Sequence, residues 1–151
     1  MPDERFASAI ARLAGALADV RDDWWIIGSA AVALHGGDPG GIADIDVIVS
    51  ERDLEALYAR LPLIDTRDES KGIFRSQRFG LWSDPDLAVE FMAGFEALLE
   101  GNWQAVLPRT RQSKNCDGAE VFVPERGELI AILEQFGRPK DLRRAAALRS
   151  I

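Results

Sequence analysis

The sequence predicts an α/β (α+β) fold in which helices pack on a mixed β-sheet. Segments with helical spacing alternate with short apolar segments typical of strands, and glycine or proline separates most of them. The run from Asp44 to Val49 is the strongest strand candidate of the chain. Because the chain has 151 residues, 47% of them hydrophobic, we expect one domain over residues 1–151 with one ordinary core.

Alternating helices and strands are predicted for the first part of the chain. Apolar residues recur at helical spacing in the first segment, and the Gly36-Gly37 pair ends the second helix. Ser50 is well placed to cap the third helix, and Pro62 ends it. The predicted elements are a helix over 4–19, a strand over 24–27, a helix over 29–35, a strand over 44–49 and a helix over 51–60.

Four strands and two helices are predicted for the rest. Residues 83–86 and 115–118 have the composition of turns. Gly137 closes the first of the two helices and Pro139 begins the second. The predicted strands cover 72–79, 87–92, 104–107 and 120–123, and the helices cover 125–136 and 140–149.

The chain is acidic, with a net charge of -7 and a pI near 4.7. A long polynucleotide is a poor default partner, because phosphate backbones are held mostly by an excess of Lys and Arg. Basic residues gather in 109–114 and 138–149, where they could hold one phosphate or form a solvated helix face. With no apolar run of roughly 20 residues and no signal-peptide pattern, we expect a cytoplasmic location and no membrane partner.

Asp44 and Asp46 project from one face of their predicted strand, since side chains alternate along a strand. Two aspartates so close repel one another, and a hard divalent cation such as Mg²⁺ would relieve the repulsion. Glu90, on the predicted strand 87–92, offers a third carboxylate on the polar face of that strand. The alternative is an edge strand with a wet face, where two aspartates cost little.

The Gly28-Ser29 turn is the second candidate feature. Glycine lets the backbone approach a ligand closely, and the start of the following helix offers unpaired N–H groups to a phosphate. The Ser29 hydroxyl is a further donor. An ordinary helix cap is the alternative explanation.

These motifs together resemble the nucleotidyltransferase superfamily, which includes DNA polymerase beta, aminoglycoside nucleotidyltransferases and the minimal nucleotidyltransferases of toxin and antitoxin pairs. The matching motifs are Ile27 to Ser29, Asp44 to Val47 and Val89 to Phe91. Ala30 to Gly36 and Gly137 to Leu142 resemble the small bacterial branch. The resemblance is strong over residues 24–49 and moderate over 87–92 and 124–148.

The resemblance implies a metal-dependent transfer of a nucleoside monophosphate from a nucleoside triphosphate to a hydroxyl acceptor. Asp44, Asp46 and Glu90 would be the catalytic residues and the ligands of Mg²⁺ or Mn²⁺, and Gly28 and Ser29 would bind the nucleotide phosphates. The acceptor, a small molecule, a protein side chain or an RNA end, stays open. Small chains of this superfamily often use a partner to close the cleft, so the resemblance also allows a homodimer or a complex with a protein from a neighbouring gene.

The loop before Asp44 differs from that of related small proteins, which often have an Arg and a Thr there. This chain has Gly40, Gly41, Ile42 and Ala43 instead. A catalytically inactive module that binds nucleotide or a partner is therefore the alternative to an enzyme. His35 is expected to have a structural role, and Lys140 to form either a surface ion pair or a contact with the site.

Overall fold

The computed structural model describes residues 3–67 and 72–151 of the chain. The predicted strand over 72–79 lies within these ranges. It begins directly after residues 68–71, which lie outside them. No helix in the described ranges combines the length and apolar character needed to cross a bilayer. The elements are, in chain order, α1 Glu4–Ala16, β1 Trp25–Ile27, α2 Gly28–Leu34, β2 Asp44–Ile48, α3 Glu51–Arg60, β3 Phe74–Arg75, β4 Arg78–Trp82, β5 Ala88–Ala93, β6 Glu96–Leu99, β7 Asn102–Ala105, β8 Gln112–Cys116, β9 Ala119–Val123, α4 Arg126–Phe136 and α5 Pro139–Arg149.

A mixed four-stranded sheet forms the centre of the fold, in the order β1-β2-β5-β4. Strands β2 and β5 are parallel, whereas β1 and β4 pair antiparallel at the two edges. A three-stranded sheet, β3-β6-β7, and the β8-β9 hairpin accompany it. The mixed sheet with packed helices confirms the predicted fold class.

The two faces of the central sheet differ in chemistry. One face carries apolar side chains such as Ile45, Val47, Val89 and Phe91 into the main core, against α1 and α3. The other face is apolar where β2 and β5 end, at Ile48 and Met92, which pack in a second core with Phe95 and Ile132. The beginnings of β2 and β5 on this second face carry the acidic side chains, so the second core borders them directly.

Several boundaries differ from the predicted ones. Helix α1 ends at Ala16 rather than at residue 19. The single strand predicted over 72–79 is two strands in different sheets, because β3 pairs with β6 while β4 pairs with β5. The strand predicted over 104–107 is shifted to Asn102–Ala105.

Strands β6 and β8 were not predicted at all. The residues of β8 are polar, and those of β6 lack clear alternation, so neither has the sequence pattern of a half-buried strand. Each is a strand because hairpin pairing, with β7 and β9 respectively, satisfies its backbone. The turn predicted at 115–118 is narrower, since the positive φ angles fall on Asp117 and Gly118.

Asp53 connects α3 to the loop that precedes β1. Its carboxylate is almost fully buried and accepts hydrogen bonds from the backbone N–H groups of Arg21 and Asp22, both at 2.9 Å. Ser50 caps the same helix by accepting from the Asp53 N–H at 3.2 Å. One side chain thus fixes the entry into the first strand of the central sheet.

Asp53→Ala is expected to lower the free energy of unfolding by about 2–4 kcal/mol, because two N–H groups lose a charged acceptor. Urea denaturation followed by circular dichroism measures this change. Glu55→Ala, at an exposed position of the same helix, is the control and should change stability little. Equal stability of the two variants would contradict the role given to Asp53.

Candidate functional site

The register between β2 and β5 brings the three predicted acids together. Asp44 pairs with Ala88, and Asp46 pairs with Glu90, so all three carboxylates lie on the same face of the sheet. One oxygen from each carboxylate lies within 4.8 Å of the others. No Lys or Arg in the described ranges forms an ion pair with any of these three acids.

Asp46 is the most constrained of the three acids. Its Oδ1 atom is shielded from solvent and has no hydrogen-bond partner among the described residues. Burial raises the pKa of Asp46 well above its ordinary value, as do a hydrogen bond with Glu90 and the charges of Asp44 and Glu90. Arg138 opposes the shift. The protein therefore holds an acid where it is costly to ionise without a cation.

Asp44 lies at the beginning of β2, nearer to the basic residues of α5. Burial and the charge of Glu90 raise its pKa, while the positive charges of Lys140 and Arg144 lower it. These two cations are thus close enough to act on the carboxylate, although neither forms an ion pair with it.

Gly28 lies directly against Asp46. Its φ of +68° is in the left-handed region, and a Cβ built on it would lie 3.1 Å from Asp46 Oδ2. Any other residue would therefore be strained and would crowd the carboxylate. Glycine is required at position 28 for two reasons: the left-handed backbone of the turn and the close approach of that backbone to Asp46.

Ser29 is nearly buried, and its hydroxyl forms no hydrogen bond with a residue in 3–67 or 72–151. The residue that caps α2 is Ile27, and no side chain bonds to this end of the helix. Ser29 is therefore not the helix cap that was the alternative explanation. Its hydroxyl lines the same cavity as the acids.

A cavity of about 460 Å³ opens above the acids. Its walls are of three kinds. The acids and the Gly28-Ser29 turn lie together, and an apolar wall borders them. That wall includes Phe74, Phe79, Met92, Phe95 and Phe136, and the cations of the cavity are Arg67, Arg75, Arg138, Lys140 and Arg144.

Three carboxylates in this arrangement could hold a divalent cation. The donors are all oxygen, which suits hard ions such as Mg²⁺ and Mn²⁺. Asp46 Oδ1 has no partner from the described protein, and the Gly28 turn leaves the space beside Asp46 Oδ2 free of a side chain. The residues present therefore fit a metal site.

Sequence reasoning missed Arg138 as a cavity residue. Asp141, which is fully buried, accepts hydrogen bonds from the Arg138 Nε at 2.6 Å and Nη2 at 3.0 Å, and from its backbone N–H at 3.2 Å. This contact fixes the start of α5 and holds the guanidinium 4.7 Å from the centre of the Phe74 ring. The spacing of Arg138 and Asp141, three residues apart at a helix start, was the available signal.

The remaining candidates have structural positions. His35 Nε2 lies 2.8 Å from the Pro124 carbonyl oxygen, and burial lowers the pKa of His35. Both neighbouring tryptophans are buried: Trp24 packs edge-on against Phe122, and Trp25 donates to the Thr110 carbonyl oxygen at 2.8 Å. None of these residues lines the cavity above the acids.

Comparison with protein-family models gave no match, and neither did comparison with curated proteins. Solved structures do match. A protein from Thermotoga maritima assigned as a nucleotidyltransferase has a TM-score of 0.73 at 21% identity, covering 99% of this chain and 94% of that chain. The antibiotic-resistance factor ANT(2″)-Ia has a TM-score of 0.62 at 13% identity, covering 99% of this chain and 85% of that chain.

ANT(2″)-Ia has also been solved in complex with adenylyl-2″-tobramycin. That structure has a TM-score of 0.50 at 15% identity, and the match covers 95% of this chain and 97% of that chain. At identities of 21% and below, these likenesses concern the fold. The chain has the nucleotidyltransferase fold that its sequence motifs predict.

Proposed function

We propose that this protein is a metal-dependent nucleotidyltransferase that transfers a nucleoside monophosphate from a nucleoside triphosphate to a hydroxyl acceptor. The observation that carries the proposal is the cluster of Asp44, Asp46 and Glu90, whose carboxylate oxygens lie within 4.8 Å of one another. Burial and mutual repulsion make it costly to ionise these carboxylates, and a bound cation would offset that cost. Its place on a nucleotidyltransferase fold supports a nucleotide as the ligand of that cation.

Asp44, Asp46 and Glu90 would hold one or two Mg²⁺ or Mn²⁺ ions. When bound, such ions neutralise the triphosphate and stabilise the oxygens that enter and leave the phosphorus. The protein supplies the remaining contacts. The backbone beside Gly28 and the unpaired Ser29 hydroxyl would donate hydrogen bonds to the phosphates, while Glu90 would help to deprotonate the acceptor hydroxyl.

The proposed reaction is a single in-line displacement. The acceptor oxygen forms a bond to the α-phosphorus, the bond from that phosphorus to the bridging oxygen breaks, and pyrophosphate leaves with the electron pair. The hydroxyl proton passes to a carboxylate or to solvent. The apolar wall of the cavity would exclude water, which competes with the acceptor for the phosphorus.

The structure of ANT(2″)-Ia with adenylyl-2″-tobramycin supports the hydroxyl as the acceptor class, since that product is an adenylylated small molecule. The fold does not identify the acceptor molecule or the preferred nucleobase of the triphosphate, because the walls of the pocket determine both. We propose a cytoplasmic protein that functions as a single domain, either alone or with a second copy or a protein partner.

The proposed function predicts nucleotide binding. Wild-type protein is expected to bind at least one of ATP, GTP, CTP and UTP in the presence of Mg²⁺, measured by isothermal titration calorimetry. The double variant Asp44→Asn, Asp46→Asn should lose at least roughly 100-fold in affinity, because changes at groups that only orient metal ligands already cost about 10- to 100-fold.

Asp86→Asn is the matched control, since Asp86 is an exposed acid just before β5 and lies outside the cavity. It should bind like wild type. If wild-type protein bound none of the four triphosphates, the proposed function would be wrong. Binding without release of pyrophosphate from any acceptor would instead favour the catalytically inactive alternative.

The buried Asp46 also predicts how stability without metal depends on pH. Burial and like charges raise the pKa of Asp46 in the folded protein, so folding favours its protonated form. The stability that protonation provides is present below the unfolded pKa and is lost as pH rises through the raised folded pKa. Asp46→Asn should therefore stabilise the metal-free protein at neutral pH by at least about 1 kcal/mol, because the neutral amide carries no charge for burial and the neighbouring acids to oppose.

Unfolding in urea with a chelator present, at pH 4 and at pH 8, measures this difference. The advantage of Asp46→Asn over wild type should grow with pH and should shrink when Mn²⁺ is added, because only wild type keeps all three metal ligands. Asp86→Asn should show no such dependence. A variant less stable than wild type at pH 8 without metal would contradict the prediction.

A further inference from the structure

A second cleft adjoins the cavity above the acids. It has a volume of about 480 Å³ and lies between α5 and the loop 38–40. Lys140, Arg143 and Arg144 line it from the helix, and the first and last of these also line the main cavity. The two spaces therefore meet at Lys140 and Arg144. We call the second space the α5 cleft.

The α5 cleft is strongly cationic. Its lining has three cations and one acid, Asp38, whose Oδ1 accepts a hydrogen bond from the Gly40 N–H at 2.9 Å. None of the three cations forms an ion pair with a residue in 3–67 or 72–151. An excess of positive charge on one side of an acidic site is typical of a place where an anion binds.

Lys140 and Arg144 differ in their contacts, but each has N–H donors that form no hydrogen bond with the described residues. Arg144 is half-buried, and its Nε donates to the Pro39 carbonyl oxygen at 3.1 Å, which positions the guanidinium at the junction of the two spaces. Its Nη groups have no partner among the described residues. The exposed Lys140 ammonium forms no hydrogen bond or ion pair within that part of the chain.

The proposed chemistry requires a place for the leaving pyrophosphate. The α-phosphorus must lie at the carboxylates, so the β and γ phosphates must extend away from them. They carry most of the negative charge of the triphosphate. The loop that precedes Asp44, from Gly40 to Ala43, contains no cation, so the cations must come from another element.

We propose that the α5 cleft binds the β and γ phosphates of the nucleotide and then the pyrophosphate, with Lys140 and Arg144 as direct donors. The proposal rests on the proposed function and names the residues that would hold the leaving group, in addition to Gly28 and Ser29. Arg143 is exposed and lines the α5 cleft but not the main cavity, so it adds positive charge to the cleft alone.

Calorimetry on the full chain with Mn²⁺ tests the proposal, with three probes: α,β-methylene-ATP, AMP and inorganic pyrophosphate. Lys140→Gln and Arg144→Gln should each weaken binding of the ATP analogue and of pyrophosphate roughly tenfold or more, as expected for the loss of one charge-assisted hydrogen bond. Binding of AMP should change less than about twofold, since AMP lacks the two distal phosphates. Lys140→Arg should retain most of the affinity for the analogue.

Arg149→Gln is the control, because Arg149 lies on the same helix but pairs with Glu134 outside both spaces. It should bind all three probes like wild type. Thermal unfolding of each variant separates a loss of phosphate contacts from a loss of fold, because a damaged fold would weaken AMP as well.

The outcomes distinguish this proposal from the proposed function. If wild-type protein binds the ATP analogue and both Gln variants bind it equally tightly, the α5 cleft is not the phosphate site, while the proposed function stands. Equal weakening of AMP and of the ATP analogue would also overturn the cleft proposal. If wild-type protein binds none of the three probes, the proposed function fails first.

Discussion

The parallel, in-register pairing of β2 with β5 is the constraint on which the site depends. It aligns Asp46 with Glu90 and directs both, with Asp44, toward the same face. A slip of one residue would direct Glu90 into the main core and the apolar Val89 toward the cavity. The apolar side chains on the opposite face oppose such a slip, since Ile45 and Val89 are fully buried there. Core packing thus determines the geometry of the acids.

Alternation along a strand was sufficient to predict which side chains share a face. The shared face of Asp44 and Asp46, and the polar face of the strand over 87–92 that carries Glu90, follow from that pattern alone. The pattern does not show which strands are neighbours, because pairing depends on contacts between segments distant in sequence. Strands β6 and β8 were missed for the same reason: their backbones are satisfied by partners rather than by a local signal.

The site was predicted unevenly. Gly28 was singled out for its backbone freedom, and the structure adds a second reason, the proximity of Asp46 Oδ2. The basic tail over 138–149 had two explanations at the level of sequence, a phosphate contact or a solvated face. Only the tertiary position of α5 shows that Arg138, Lys140 and Arg144 line the cavity while Arg149 does not. The apolar wall of the cavity was likewise not predicted, since its residues come from separate segments of the chain.

The buried contact between Asp141 and Arg138 fixes the start of α5, and α5 carries the cations that border the acids. The acids and the cations of α5 therefore come from segments that are distant in the chain, since β5 ends at Ala93 and α5 begins at Pro139. During synthesis on the ribosome, β2 and β5 emerge long before α5. Until α5 docks, the Asp44 carboxylate would lack the opposing positive charges of Lys140 and Arg144, so the cavity is assembled only after the central sheet has been synthesised.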